Sequence, residues 1–139
     1  MKLRPETRRR ARALQLLYAW EIQARPPMAE IAAEAQRLCS AQRLPALEQA
    51  EALATAVAAE WESLDQRSAQ AAEHWRLERM AVVERNILRL GIHELIHETA
   101  PPKVVIDEAI RLAHWFGATQ ASSFINGILD RIAHELGRL

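Results

Sequence analysis

One short pattern in the sequence is used for metal chemistry in enzymes: the run His93-Glu94-Leu95-Ile96-His97. Two histidines four residues apart share a helix face and can bind Zn²⁺, while the glutamate acts as a general base. A catalytic zinc site needs a third protein ligand, for which Glu108, His114 and His134 are the candidates. None of the three stands in a recognisable downstream motif. A zinc hydrolase is therefore a distant alternative, and a polar residue at a helix interface is the simpler interpretation of His93.

Other catalytic arrangements have less support. Cys39 is the single cysteine, so no internal disulfide can form, and no neighbouring histidine or cationic cluster marks it as a nucleophile. The sequence also lacks the glycine-rich patterns that cradle nucleotide phosphates. We therefore expect no catalytic residue, no bound metal and no cofactor.

Positive charge is concentrated at the start of the chain. Before residue 13 the only acidic residue is Glu6, and the basic residues are Lys2, Arg4, Arg8, Arg9, Arg10 and Arg12. The formal net charge of the whole chain is +0, so the remainder is net acidic. Cations at a helix N-terminus oppose the helix dipole, so the cluster needs another reason than helix stability. A polyanion bound at this end would supply one, and a solvated charged helix start is the alternative.

Helices must position these residues, because the apolar residues recur at helical spacing and no alternating strand is present. Pro5 can open the first helix, and Pro26-Pro27 ends it. A second helix follows, and Pro45 starts a third that carries Trp61 and Leu64. Its continuation past Asp65 towards Trp75 is either one bent helix or two.

The second half of the chain has a sharper pattern. A strongly apolar helix runs from about residue 83 to residue 95, and Pro101-Pro102 stops it. The next helix ends at Trp115, with Gly117 well placed as its C-terminal cap. Thr119 or Ser122 can cap the last helix. Gly127 inside that helix is worse than alanine by about 1 kcal/mol, and close helix packing is the expected reason.

Length and composition favour one globular domain. The chain has 139 residues, of which 50% are hydrophobic and 26% are charged. No run of about 18 apolar residues exists, so we expect no membrane span. The charged N-terminus has no apolar signal core, so we expect a cytoplasmic protein.

Three segments share the order and spacing of a known family. The first is the arginine-rich opening followed by ALQLLYAW at 13–20, and the second is RNILRLGIHEL at 85–95. The third is PKVVIDEAI at 102–110, then FG at 116–117 and FINGILD at 124–130. Together they resemble the NusB family over nearly the whole chain. His93 falls where that family commonly has tyrosine, which implies that the zinc-like pattern arose by accident.

The resemblance implies an all-α, NusB-like fold of about seven helices in two small packed bundles, with residues 1–139 forming one RNA-binding domain. It implies a factor that binds boxA, a short single-stranded RNA element of ribosomal-RNA transcripts, together with the ribosomal protein NusE. The pair would join an antitermination complex on RNA polymerase. The alternative is a protein–protein adaptor with little RNA affinity of its own. An exposed apolar patch could also support a homodimer.

The resemblance also implies site residues. The expected RNA contacts are Lys2, Arg4, Arg8, Arg9, Arg10, Arg12 and Phe124. The expected partner contacts are Tyr18, Glu78 and Glu84. The arginine run lies about two residues nearer Tyr18 than in typical members, which rotates its side chains by roughly 200°. The prediction therefore concerns the arginine cluster as a whole, and core packing is the alternative for Phe124 and Tyr18.

Overall fold

The computed structural model describes residues 4–38, 45–72 and 80–139. Within these ranges the chain forms seven α-helices, one short 3-10 helix (Thr119–Ala121) and no strand. The α-helices are α1 (Pro5–Ile22), α2 (Met28–Leu38), α3 (Pro45–Ala59), α4 (Trp61–Ala71), α5 (Val82–His97), α6 (Pro102–Trp115) and α7 (Ser122–Glu135). The predicted all-α fold is therefore confirmed. None of the described helices is long and apolar enough to cross a membrane.

The helices group into two compact units, Met1–Ala59 and Glu60–Leu139. In the first, here called the three-helix unit, α1, α2 and α3 each pack against the other two. In the second, the four-helix unit, α5 packs against α4, α6 and α7. Two small bundles agree with the expectation from the sequence. That both belong to one domain over residues 1–139 stays a prediction.

The third predicted helix divides at Glu60, and its two parts are α3 and α4. Trp61 and Leu64 therefore lie on α4. The Glu60 carbonyl accepts hydrogen bonds from the Leu64 amide and the Ser63 hydroxyl, each at 3.0 Å, which fixes the first turn of α4. The break comes before Trp61, so the prediction that the third helix carries Trp61 and Leu64 is wrong. Helix α4 passes Asp65 without a division as far as Ala71, and Trp75 lies outside the described residues.

Helix α5 forms the core of the four-helix unit, because every residue from Asn86 to Leu95 is buried. Arg89 is 1% exposed and donates two hydrogen bonds to the Asp65 carboxylate of α4, from Nε to Oδ1 and from Nη2 to Oδ2, both at 2.7 Å. Its guanidinium carbon lies 5.5 Å from the centre of the Trp61 ring. This paired and stacked arginine joins α4 to α5.

The helix ends confirm one predicted cap and contradict the other. Gly117 has φ +78° directly after α6, and the Ala118 amide donates to the Ala113 carbonyl at 2.7 Å, as in a glycine-terminated helix. Neither Thr119 nor Ser122 caps α7 through its side chain, because the 3-10 helix leads directly into α7. The short 3-10 turn replaces the side-chain cap.

The packing role predicted for Gly127 is wrong. Gly127 is exposed, and a Cβ added there would meet nothing within 4 Å. The close-packed glycine is Gly91 of α5, where a Cβ would lie 3.0 Å from both δ carbons of Leu129 on α7. Helices α5 and α7 approach each other at Gly91.

Candidate nucleic-acid interface

The arginine cluster lies on the first turns of α1. Arg4 and Arg8 are exposed and Arg9 and Arg12 are partly exposed, but Arg10 is buried, with only 3% of its surface accessible. A buried guanidinium is poorly placed to hold a solvent-borne phosphate, so the burial of Arg10 speaks against its predicted contact with RNA. Lys2, also predicted to contact RNA, lies outside the described residues.

Helical periodicity explains this sorting of the arginines. Arg4, Arg8 and Arg12 repeat every four residues and therefore follow one solvent face of α1. Arg10 falls on the opposite side, on the face that carries the buried residues Leu14 and Leu17. Guanidinium groups spaced along an exposed helix face can each make paired hydrogen bonds to a phosphate.

The same solvent face continues into an apolar end. Tyr18 and Ile22 are 43% and 58% exposed, and they lie fourteen residues after Arg4 and Arg8 respectively, close to four helical turns. Core packing of Tyr18, the alternative left open by the sequence, is excluded by this exposure. The basic end suits a polyanion, and the apolar end, about 21 Å further along, suits a protein surface.

Phe124 belongs to the four-helix unit, so the structure places it on a different unit from the arginines. It stands in the first turn of α7 and is partly exposed, and stacking of its ring on a base stays a prediction. A further exposed aromatic residue, which the sequence did not single out, is Trp115 at the end of α6, with 44% of its surface exposed. By helical spacing Trp115 falls next to the buried residues Glu108 and Leu112, so no signal in the sequence marked it as exposed.

The two predicted acidic partner contacts have different outcomes. Glu84 stands in the first turn of α5 and is partly exposed, and its Oε2 accepts a hydrogen bond from the Ala81 amide at 3.1 Å. The side chain therefore stabilises the start of α5, whatever else it contacts. Glu78 lies outside the described residues.

The histidine pair of α5 has a third group beside it, which sequence reasoning did not find. Oε1 of Glu60 lies 2.7 Å from Nε2 of His97 and 3.5 Å from Nδ1 of His93. Among the described residues, these three are the group whose ligand atoms could hold a metal ion, all within 4.8 Å of one another. The third ligands suggested by the sequence, Glu108, His114 and His134, are not part of it. Glu60 was missed because it precedes the pattern by more than 30 residues and only tertiary packing brings it close.

Burial controls the electrostatics of this group. His93 is 6% exposed, and burial lowers the pKa of its imidazole, with the neighbouring His97 lowering it further. The carboxylate of Glu60 raises the pKa of His93 and partly opposes the shift. Glu94, the candidate general base, is 2% exposed, and its Oε1 accepts a hydrogen bond from the Thr99 hydroxyl at 3.0 Å. This hydrogen bond of Glu94 fixes the chain just after the C-terminal end of α5.

Comparison with known sequences assigns the fold to a family. The NusB family model matches residues 7–134. The chain belongs to the NusB family. It is 36% identical over 129 residues to the transcription antitermination protein NusB of Solibacter usitatus, covering 93% of this chain and 88% of that protein. It is 44% identical over 86 residues to NusB of Desulfosudis oleivorans, and this match spans 61% of the chain and only 56% of that relative.

Solved NusB structures have the same fold. The Thermotoga maritima NusB structure superposes with a TM-score of 0.80 at 33% identity, covering 97% of this chain and 94% of that one. A crystal structure of the antitermination factors NusB and NusE in complex with dsRNA superposes with a TM-score of 0.80 at 27% identity, covering 96% and 99% of the two chains. The predicted NusB-like fold is therefore confirmed over nearly the whole chain.

Proposed function

We propose that this chain is a non-catalytic transcription antitermination factor. It binds boxA-type RNA of ribosomal-RNA transcripts together with NusE and joins an RNA polymerase antitermination complex, which places it in the cytoplasm with the nascent transcript. The observation that carries the proposal is the likeness, over almost the full chain, to a NusB solved with NusE and RNA. The proposed RNA contacts are Arg4, Arg8, Arg12 and Phe124, with Arg9 at the margin.

The number of exposed arginines predicts how strongly the RNA affinity depends on salt concentration. Three guanidinium groups along one face of α1 can neutralise about three phosphates. Each neutralised phosphate contributes a slope of about −0.7 to the dependence of log affinity on log salt for single-stranded RNA, so the expected total is about −2. This is a shallow slope, and it predicts modest affinity for RNA alone.

The burial of Arg10 favours a second candidate function, a protein–protein adaptor whose RNA affinity depends on NusE. One cation fewer on the surface weakens the electrostatic hold on RNA without affecting a protein contact at Tyr18. The two candidates differ in one quantity, which is the RNA affinity of the chain in the absence of NusE.

The test is a titration of labelled boxA RNA, single-stranded and as a duplex, with the chain alone and with saturating NusE, at salt concentrations from about 50 to 300 mM. We expect binding to single-stranded RNA by the chain alone, and tighter binding with NusE. The Arg8→Ala/Arg12→Ala double variant should bind more weakly, and its salt slope should fall by about 1.4.

The matched control is the Arg37→Ala/Arg67→Ala double variant, which removes the same charge from α2 and α4. It should keep the native slope. An equal loss in both double variants would mean that only net charge matters, and unchanged binding after loss of Arg8 and Arg12 would contradict the assigned RNA face. Binding seen only with NusE would support the adaptor function instead.

A further inference from the structure

None of the three residues Glu60, His93 and His97 is among those assigned to RNA or NusE. The two histidines are held four residues apart on α5, and Glu60 is the N-cap residue that directly precedes α4. Both imidazoles therefore project from one rigid helix, and the carboxylate comes from a residue whose carbonyl is fixed by two hydrogen bonds. Two imidazole nitrogens and one carboxylate oxygen form a donor set suited to Zn²⁺ and related transition metals.

A second observation points to a ligand at this place. His93 is buried, with 6% of its surface exposed, yet its Nδ1 has no hydrogen-bond partner. The atom nearest to it in this group, Oε1 of Glu60, is 3.5 Å away, at the outer limit of a hydrogen bond and too far to satisfy a buried nitrogen fully. A buried polar atom without a partner costs about 1–3 kcal/mol, so native proteins rarely leave one unless it has another use. A metal ion bound by Nδ1 would satisfy it.

We propose that Glu60, His93 and His97 form a binding site for Zn²⁺ or a similar divalent transition-metal ion. In a tetrahedral site with ligand bonds of about 2.0–2.1 Å, neighbouring ligand atoms lie about 3.3 Å apart. The separation of 3.5 Å between Glu60 and His93 already fits, and the 2.7 Å hydrogen bond between Glu60 and His97 must open by about 0.6 Å.

The adjustment falls on the accessible members of the group. The side chains of His97 and Glu60 are 46% and 31% exposed, whereas that of His93 is 8% exposed. His97 is also the last residue of α5, so its ring can turn without disturbing the core. The metal would reach the site from solvent between the side chains of His97 and Glu60. Once bound, it would link Glu60, which directly precedes α4, to the last turn of α5.

The surroundings favour binding without hydrolysis. In zinc hydrolases with this histidine spacing the intervening glutamate activates a metal-bound water. Here Glu94 is buried and accepts a hydrogen bond from Thr99, so it serves the end of α5. The site therefore fits a structural ion, which adds stability to the four-helix unit through mass action.

The test uses the full chain, freed of any affinity tag and treated with a chelator, and titrates it calorimetrically with ZnCl₂ and, separately, with MgCl₂. We expect one Zn²⁺ per chain, a rise in melting temperature with Zn²⁺, and no Mg²⁺ binding, because imidazole ligands disfavour that hard cation. His97→Ala and Glu60→Gln should each raise the Kd for Zn²⁺ by more than about 10-fold, the lower end of what even outer-sphere groups contribute.

The control is His114→Ala, which removes an exposed histidine that belongs to no such group within the described part of the chain. It should bind Zn²⁺ as the native chain does. Absence of stoichiometric Zn²⁺ binding would overturn the proposal, and so would binding that persists equally in His97→Ala and Glu60→Gln, since the ion would then lie elsewhere. Thermal melts without metal establish that the variants are folded, and should His97→Ala prove unfolded, Glu60→Gln decides the question.

Discussion

At the residue scale, two glycines that lie inside helices of the four-helix unit, Gly91 and Gly127, have different roles. Gly91 is required because Leu129, which is 0% exposed, leaves no room for a Cβ. Gly127 has open space around it and an exposed helix position, so nothing within its unit explains the loss of helix stability that glycine brings. A close approach of the backbone to RNA beside Phe124 would explain it.

Substitution of the two glycines by alanine should therefore have opposite effects on stability. Gly127→Ala should raise the free energy of unfolding by about 0.8–1.0 kcal/mol, the usual helix-interior difference, and weaken binding to boxA RNA in complex with NusE. Gly91→Ala should lower the free energy of unfolding by about 1 kcal/mol or more, because overpacking of a buried leucine outweighs the gain in helix propensity.

Urea denaturation measures both free energies, and the RNA titration described above measures affinity. A Gly127→Ala variant that is more stable and binds RNA as well as the native chain would remove the argument for an RNA approach at that position. The Gly91→Ala variant serves as the opposite control, since its expected effect is on stability and not on recognition.

At the element scale, the joint between α4 and α5 depends on one buried ion pair. Arg89 donates hydrogen bonds from Nε and Nη2 to the Asp65 carboxylate, and its Nη1 donates to Oδ1 of Asn86 at 3.0 Å. The Asn86 amide in turn donates to the Val82 carbonyl at 2.9 Å, which ties the network to the first turn of α5. Packing within the unit thus explains Asn86 and Arg89, two polar residues of the segment RNILRLGIHEL at 85–95.

Removal of Asp65 should leave the buried Arg89 guanidinium without its two hydrogen bonds to that carboxylate. Breaking a fully buried pair costs about 3–5 kcal/mol, and because the Asp65 side chain is 34% exposed we expect roughly 2–3 kcal/mol for Asp65→Ala. Urea or thermal denaturation gives the value. The control is Asp107→Ala on α6, an exposed aspartate, which should change stability by less than about 0.5 kcal/mol. Equal effects of the two substitutions would show that the pair does not hold α4 to α5.

At the scale of the whole molecule, the proposed function requires that NusE and RNA bind cooperatively. If NusE raises the RNA affinity by some factor, RNA must raise the NusE affinity by the same factor. The acidic remainder of the chain can attract a basic ribosomal protein, and Glu84 is the described acidic residue assigned to that contact. Because Glu84 also caps α5, a change to lysine would mix a loss of partner charge with a loss of helix stability.

Glu84→Gln separates these two effects, because glutamine keeps the capping hydrogen bond and removes the charge. We expect the variant to melt as the native chain does, to bind RNA alone as before, and to bind NusE about 2- to 5-fold more weakly, the size of one exposed charge pair. Titrations of NusE with and without RNA, and of RNA with and without NusE, measure both sides of the linkage.

The control for this variant is Glu135→Gln, which removes the same charge at the end of α7. Normal NusE binding by Glu84→Gln would show that the face around Glu84 is not the partner surface. Loss of RNA binding in the absence of NusE would show that the RNA and partner surfaces are not separable.

The sequence by itself determined the helical fold, most of the helix boundaries and the family. Proline and glycine set the backbone locally, so Pro5, Pro101-Pro102 and Gly117 could be interpreted from position alone. Helical spacing likewise predicts which residues share a face. The order and spacing of three segments were sufficient for the family, because together they extend over nearly the whole chain.

Only the tertiary structure decided which of these residues are accessible and which distant residues meet. The exposure of Tyr18 and the tight contact at Gly91 depend on neighbours from other helices, which local spacing does not specify. The meeting of Glu60 with His93 and His97 joins groups more than 30 residues apart, and no pattern in the sequence records that distance. Periodicity fixes directions around one helix, whereas sites are formed by several helices together.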